Sequence, residues 1–437
     1  MLDINLIRKD PKKIKTVLKE RNKKVDVDLL LKLDNKKREL LQKVEDLRAD
    51  QNKANDKIAQ AKDSEKQTMI TDMKVISEKI KKQEPELEKI SAQVSDLLGK
   101  IPNIHLGDVP VGKDENKNQV AKTVGELPKF DFKPRDHMVI GEALDIIDMK
   151  KAAKISGARF AYLKGAAAWL EVALINLVFN TLASEQILKK IADSVKKGYN
   201  AKPFIPVFPP VMINPDVFAK MGRLTPENED DKYYIKSDDK YLIGSAEHTL
   251  GPLHMNETFQ EEDLPVRYIG FSTSFRREAG TYGQDTKGIL RMHQFDKFEM
   301  ESFTLADHSQ LEQKFIIAIQ EYLLSELKLP YQVVNICTGD MGDPDARQVD
   351  METWLPGQDK YRESHTSDLM TDYQARRLNI KVKKDDGQKE YVHMNDATAL
   401  AIGRTIIAIL ENYQQKDGSV KVPEVLQQYM GGMKIIK

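Results

Sequence analysis

Apolar residues near the N-terminus recur at alternating spacings of three and four: Leu30, Leu33, Leu40, Val44, Leu47, Ala54, Ile58 and Ala61, with polar Lys37 and Gln51 interrupting the series. After Asp63-Ser64 the ladder resumes at Met69, Met73, Ile76, Ile80, Leu87, Ile90, Val94 and Leu97, broken only by Gln83. Two matched heptad seams joined by a tight turn predict an antiparallel coiled-coil hairpin. Ser64 with Gln67 makes a capping box for the second helix, which Gly99 and Pro102 close. Each helix would be roughly 50 Å long at 1.5 Å per residue. A hairpin of that length cannot fold into a compact domain, so it should project as an arm. Pro85 falls inside the second helix, where a proline removes one backbone bond and clashes with the preceding turn. A kink or local break is expected there. Upstream, Asp10-Pro11 supplies a cap and an N1 proline for a short helix ending near Asn22.

Residues 102–136 carry prolines, glycines and many charges without periodicity, the pattern of a linker or irregular strap. From His137 onward the pattern is that of a globular body. The domains are therefore placed at 1–110, with the hairpin, and 111–437. Gly141–Ile155 is amphipathic and helical, Arg159–Leu163 a short strand, and Ala166–Lys197 a long helix. Pro203–Ile213 is apolar but proline-rich, which excludes a central strand and suits an edge or interface strand. Further on, Tyr268–Glu278 and Ile289–Phe303 alternate in polarity around a turn containing Gly280, Gly283 and Gly288, as two antiparallel strands should. Period two puts Arg276 and Glu278 on one face of the first strand, and Arg291, His293, Phe295, Lys297 and Glu299 on one face of the second. Guanidinium forks suit phosphate, and a flat aromatic ring suits a purine.

Composition sharpens this only in part. The 437 residues carry 68 basic and 68 acidic side chains, but residues 1–100 hold 25 basic against 19 acidic, a surplus of six. A basic hairpin on an acidic body hints at a polyanionic partner. Cys337 is the only cysteine, which excludes an internal disulfide or a cysteine-cluster zinc site and fits a reducing cytosol. The opening MLDINLIRKDPKKIK has no apolar signal core. The most membrane-like run, Ala166–Ala183, contains Glu171, Asn176 and Asn180 and reads as a buried core helix rather than a span.

No G-x-x-x-x-G-K-S/T loop, G-x-G-x-x-G fingerprint, H-E-x-x-H motif or nucleophile elbow occurs. His293 and His393 read as structural. What remains is an electrostatic site of arginines and carboxylates. The run F-R-R-E at Phe275–Glu278, a loop, and then R-M-H-Q-F-D-K-F-E at Arg291–Glu299 resemble motif 2 of class II aminoacyl-tRNA synthetases, in the form found in the seryl-tRNA synthetase family. Pro203–Ile213 is similar to motif 1, which forms the family's dimer interface, with Pro210 as its last proline. L-I-G-S-A-E-H-T-L at Leu242–Leu250 resembles the family's T-x-E loop, Ser245 replacing Thr. Asp359–Arg377 resembles Y-R-E-I-S/T-S-C-S-N-x-x-D-Y-Q-x-R-R, matching at Tyr361, Arg362, Glu363 and Asp372–Gln374 but diverging over Ser364–Met370. Val392–Glu411 resembles motif 3, with Asp396-Ala397-Thr398-Ala399 where a common form has N-G-S-G. There Gly403 should permit close approach and Arg404 should face the site. The resemblance runs from the hairpin to the closing Tyr429-Met430-Gly431-Gly432.

The resemblance implies an α+β fold: a class II synthetase-like antiparallel sheet flanked by helices, with an N-terminal antiparallel coiled-coil arm. It implies a cytoplasmic, zinc-independent homodimer, with no membrane association, that activates L-serine with ATP. Serine would then pass to tRNA(Ser), gripped by the arm, and to tRNA(Sec) where present. Arg276, Arg404 and Glu363 would be catalytic. ATP would meet Arg276, Arg277, Glu278, Arg291, Met292, Phe295, Glu363, Ser364, His365, Thr366 and Arg404, with Mg2+ held at Glu363 between phosphates. Serine would meet Ser245, Ala246, Glu247, Arg276, Glu299, Asp396 and Thr398. Two other classes remain: a different class II enzyme or carrier-protein aminoacylase, and a non-catalytic binding protein on a degenerate core. The long arm counts against a carrier-protein enzyme, and retained Arg276, Glu278 and Arg404 count against a degenerate core.

Overall fold

The computed structural model describes residues 1–60, 63–225, 228–278 and 288–437, with side chains throughout except at 59–60, 63–65 and 68. The expected capping box at Ser64, the seam residue Ala61 and the turn glycines Gly280 and Gly283 lie outside the described residues. The chain divides into two units, Met1–Pro102 and Asn103–Lys437.

In the first unit, α1 (Ile4–Lys9) and α2 (Pro11–Glu20) precede the hairpin helices α3 (Val27–Gln60) and α4 (Asp63–Gly99). Asp10 caps α2 by accepting the Lys13 N–H, with Pro11 in the first turn. The heptad seam is the buried face: Leu30, Leu40 and Val44 from α3, and Ile80, Ile90 and Val94 from α4. Polar Gln51 in that seam finds a partner across the hairpin, its Nε2 donating to Ser77 Oγ at 2.8 Å. Contrary to the break expected at Pro85, α4 runs through it as one helix. A single lost bond costs about 3 kcal/mol, and the paired seam offsets it, with Ile80 and Ile90 buried on either side of the proline. The flanking residues are also tied to α3, Glu84 to Arg48 at 2.7 Å and Glu86 to Lys36 at 2.6 Å.

In the second unit an eight-stranded sheet is built from β1 (Gln119–Val124), β2 (Ile205–Val207), β3 (Val266–Phe275), β4 (Gln294–Thr304), β5 (Tyr331–Asn335), β6 (Arg347–Leu355), β7 (Lys360–Thr371) and β8 (His393–Ala401). The spatial order is β1-β5-β6-β7-β8-β4-β3-β2. Every neighbouring pair is antiparallel except β2 with β3. One face packs on helices. Phe298 and Met300 of β4 join Leu170, Leu174 and Val178, Phe315 and Ile319, and Ile406 and Leu410 in a single core. Because side chains alternate across a strand, this burial of even-numbered β4 residues turns Phe295, Lys297 and Glu299 to the other face.

Several local expectations change. The 102–136 strap contains β1, which pairs with Tyr331–Asn335 at the sheet edge. Its side chains are almost all exposed, so it has no hydrophobic pattern to read; besides the backbone ladder, Lys122 pairs with Glu321 and Val124 packs against the core. Gly141–Ile155 is two helices, α5 (His137–Ala143) and α6 (Met149–Ser156), separated by a turn at Asp145 with φ of 51° and a two-residue strand at Ile147–Asp148. Ala166–Lys197 is likewise two helices, α7 (Ala166–Leu182) and α8 (Glu185–Val195), bent by 69° where Ser184 caps the second. Helix α9 (Ser309–Glu326) and helix α10 (Ile402–Asn412) complete the layer. Among the described residues, no single helix is long and apolar enough to cross a membrane. The first motif-2 strand stops at Phe275 and the second starts at Gln294, leaving Arg276, Glu278, Arg291 and His293 in the connecting segments. There Glu278 adopts a φ of 51°.

Candidate active site

On the sheet face opposite the helices lies a cavity of about 360 Å3. The strands β4, β7 and β8 form its floor, and Arg404, near the start of α10, stands at one end. Gly270 of β3 explains how its wall approaches so closely. A Cβ there would meet Leu250 at 2.6 Å and Ala246 at 3.3 Å. Glycine thus lets the Ser245–Leu250 segment press onto the sheet beside Glu299, which pairs with Gly270.

At the end toward Arg404 the cavity is cationic. Arg276 donates from Nε and Nη2 to the Gly244 carbonyl, each at 3.2 Å, and its guanidinium lies 5.3 Å over the Phe295 ring. Arg291 pairs with Glu278 at 3.1 Å, and Arg404 pairs with Glu363 at 3.0 Å. Burial and the nearby Arg404 charge push Arg276 below its ordinary value, so an incoming anion relieves repulsion already present. Burial alone would raise the Glu363 carboxyl, but Arg404 and Arg276 outweigh it and lower it. A Cβ added at Gly403 would meet nothing nearer than the Ile289 carbonyl, at 3.7 Å, and Gly403 lines the cavity.

The other end is anionic and more deeply buried. Glu299, 2% exposed, accepts from Ser245 Oγ at 2.9 Å and Thr398 Oγ1 at 3.4 Å. Lys297 forms an ion pair with it, and burial beside Arg276 holds the Lys297 ammonium down to about 7. Behind them Arg223 Nε donates to Glu247 at 2.8 Å, and Gln374 Nε2 donates to the same oxygen at 3.2 Å. Burial would raise Glu247, but the Arg223 charge, with hydrogen bonds from Arg223 and Gln374, brings its carboxyl down. Arg223 Nη2 also lies 3.4 Å from Asp368, 3.7 Å from Asp345 and 3.8 Å from Asp396.

The cavity thus gathers Arg276, Glu278, Arg291, Met292, Phe295, Glu363, Ser364, Thr366 and Arg404 at one end and Ser245, Glu247, Glu299, Asp396 and Thr398 at the other. Three expected residues do not line it. Arg277 is exposed. Ala246 is wholly buried, packed toward Gly270. His365 lies beside a bulge: β6 and β7 slip register between Met351 and Glu352, so that Ser364 is the extra residue. Between Ser364 and Thr366, which both line the cavity, His365 is turned to the opposite face by strand alternation, and the bulge brings Glu363 onto the cavity face. The His365 Nδ1 meets Ser364 Oγ at 2.8 Å, and burial lowers its pKa to about 4. A neutral, enclosed imidazole is no phosphate ligand. Arg223, Asp345 and Asp368 were not anticipated. Arg223 sits in a loop with no periodic signal, whereas Asp368 falls in Ser364–Met370, where departure from the family pattern was the available clue.

A model of the tRNA synthetase class II core domain (G, H, P, S and T) matches residues 231–413, and one of the seryl-tRNA synthetase N-terminal domain matches residues 1–105. The chain is 40% identical to a serine–tRNA ligase of Thermodesulfovibrio yellowstonii, covering 99% of each chain. It is 39% identical to that of Syntrophotalea carbinolica over 100% of both. The chain belongs to the seryl-tRNA synthetase family. A seryl-tRNA synthetase from Pyrococcus horikoshii, solved with ATP, superposes with a TM-score of 0.83 at 37% identity, covering 100% of this chain and 99% of the other. A Naegleria fowleri enzyme solved with AMP gives the same TM-score at 32% identity, with the same coverage. The seryl-tRNA synthetase fold, an antiparallel sheet flanked by helices with two long N-terminal helices, is thus the fold of this chain.

Proposed function

We infer that this protein activates L-serine with ATP and transfers the seryl group to tRNA. The observation that carries the reading is one cavity with an arginine-rich end beside Phe295 and a buried carboxylate end at Glu299, in a chain matched over its full length by serine–tRNA ligases. Activation forms a bond from a serine carboxylate oxygen to the α-phosphorus and breaks the bond to pyrophosphate. Little proton transfer is needed, so positioning and charge neutralisation carry the step. Arg276 bridges α-phosphate and substrate carboxylate. Arg404 and Arg291 exchange Glu363 and Glu278 for the outer phosphates. Phe295 stacks on adenine, and Glu278 and the Met292 backbone read its edge. Glu299 accepts the serine hydroxyl, with Ser245 and Thr398 beside it. In the second step the terminal ribose hydroxyl of tRNA attacks the acyl carbon and AMP leaves.

Among the described residues, no group of three or more His, Cys, Asp or Glu is arranged to hold a metal ion. The Glu363 carboxylate on the cavity wall fits Mg2+ arriving with the nucleotide, which keeps waters and phosphate oxygens and takes one or two carboxylates. Glu363, with Thr366 on the same wall, would hold it. The ion supplies charge neutralisation at the phosphates.

The apolar edge strand supports a homodimer: Ile205 is 48% exposed and Phe208 73% exposed, on an edge that would otherwise offer unpaired backbone groups. The basic hairpin supports contact with the tRNA backbone, of tRNA(Ser) and tRNA(Sec) alike where both occur, and a cytoplasmic protein free of membrane fits the same partners. ATP–pyrophosphate exchange with a panel of amino acids tests the function. Exchange driven by serine is expected, and exchange driven only by another amino acid, or by none, defeats the reading. Replacing Leu30–Val94 with a Gly/Ser linker should spare exchange but abolish most charging at physiological salt, since phosphate contacts add affinity without touching ATP or serine.

A further inference from the structure

Asp368 of β7 and Asp396 of β8 stand directly opposite each other, and Asp396 in turn stands opposite Glu301 of β4. Three carboxyl groups therefore form a row across three adjacent strands, although like charges directly opposite are destabilising. All three are more than nine-tenths buried. Asp368 and Asp396 line the anionic end of the cavity. In each, Oδ1 has no hydrogen-bond partner, and neither oxygen of Glu301 has one. Burial, with added repulsion from neighbouring carboxylates, pushes both aspartic carboxyls well above their usual range. Buried acids in this state hold a proton or await a cation.

Among the described residues, the cation paired with both, Arg223, leaves their Oδ1 atoms unsatisfied. Arg223 lies 3.4 Å from Asp368 and 3.8 Å from Asp396, because its Nε is committed to Glu247 at 2.8 Å. Glu247 is correspondingly neutralised, by Arg223 and by Gln374. On the strength of the function proposed above, we propose that the Asp368–Asp396 pair receives the substrate's α-ammonium group, Glu247 being already committed to Arg223. An ammonium carries three donors, enough to reach both orphaned oxygens, and serine would arrive there with its hydroxyl toward Glu299.

The test compares L-serine with glycerate, which keeps the carboxylate and hydroxymethyl group and replaces the ammonium by a hydroxyl. Calorimetric binding of each, which needs no turnover, is measured for the wild type and for Asp368→Asn, Asp396→Asn, the double variant and Glu247→Gln. Removing a buried, half-satisfied charge should leave the variants at least as stable as the wild type, which thermal unfolding checks, and the single variants serve if the double one fails to fold. Serine affinity should fall about 10-fold or more in each Asp variant, as for loss of a charged hydrogen bond, with glycerate affinity and the KM for ATP unchanged within about twofold. Serine binding that persists in the Asp variants, or a serine preference lost only in Glu247→Gln, overturns the assignment. A wild-type protein that binds no serine overturns the function instead.

Discussion

Replacing Glu299 with glutamine isolates the contact by which serine would be told from alanine. Glu299 is buried, accepts from Ser245 at 2.9 Å and Thr398 at 3.4 Å, and is paired with Lys297. When alanine binds, no hydroxyl reaches the carboxylate, and a buried charged acceptor loses a bond of about 1.5–3 kcal/mol. A glutamine in its place loses only a neutral bond, about 0.5–1.5 kcal/mol. The difference, about 1–1.5 kcal/mol, corresponds to a loss of about 5–10-fold in the preference for serine over alanine. Pyrophosphate exchange with both amino acids, expressed as a ratio of kcat/KM values, measures it. The ratio is the proper readout because freeing Lys297 depresses both rates together. A folded variant whose two rates fall in parallel, with the ratio unchanged within about twofold, would refute the assignment and send the search for the hydroxyl contact elsewhere.

Arg404→Ala should lower serine-dependent exchange by about 100-fold or more, the scale of losing a charge-stabilising donor, with the far-UV spectrum intact; near-normal exchange would remove Arg404 from the phosphate site. Glu312→Gln should destabilise the second unit by about 3–5 kcal/mol, read as a lower urea midpoint, because buried Arg267 now makes two bonds to Glu312, at 2.6 and 2.7 Å. Glu171, next to Asp296, is pushed by burial and that hydrogen bond from 4.5 up to about 8. The folded state therefore holds a proton that the unfolded chain releases, and the stability this lends is lost as pH rises from 4.5 to 8. Glu171→Gln cannot titrate, so its melting temperature should decline less steeply across that window than the wild type's; equal slopes would count against the raised value.

Short-range periodicity determined much of this protein. The 3/4 spacing from Leu30 to Leu97 specified the hairpin and its buried seam, and the period-two alternation from Phe295 to Glu299 specified which β4 side chains share a face, because both patterns are set by backbone geometry within one element. Most of the expected ligand residues also came together, since the resembling segments carried them as units. Tertiary structure decided the remainder. Pro85 stayed within a helix because the partner helix holds both flanks. His365 faces away from the cavity by strand alternation between Ser364 and Thr366, whereas Glu363 reaches it because of a bulge at Ser364, a property of the β6–β7 pair. The row Glu301–Asp396–Asp368 and its single arginine, Arg223, come from four distant parts of the chain. Only the strand register places them within reach of one another, and no pattern in any one segment encodes that register.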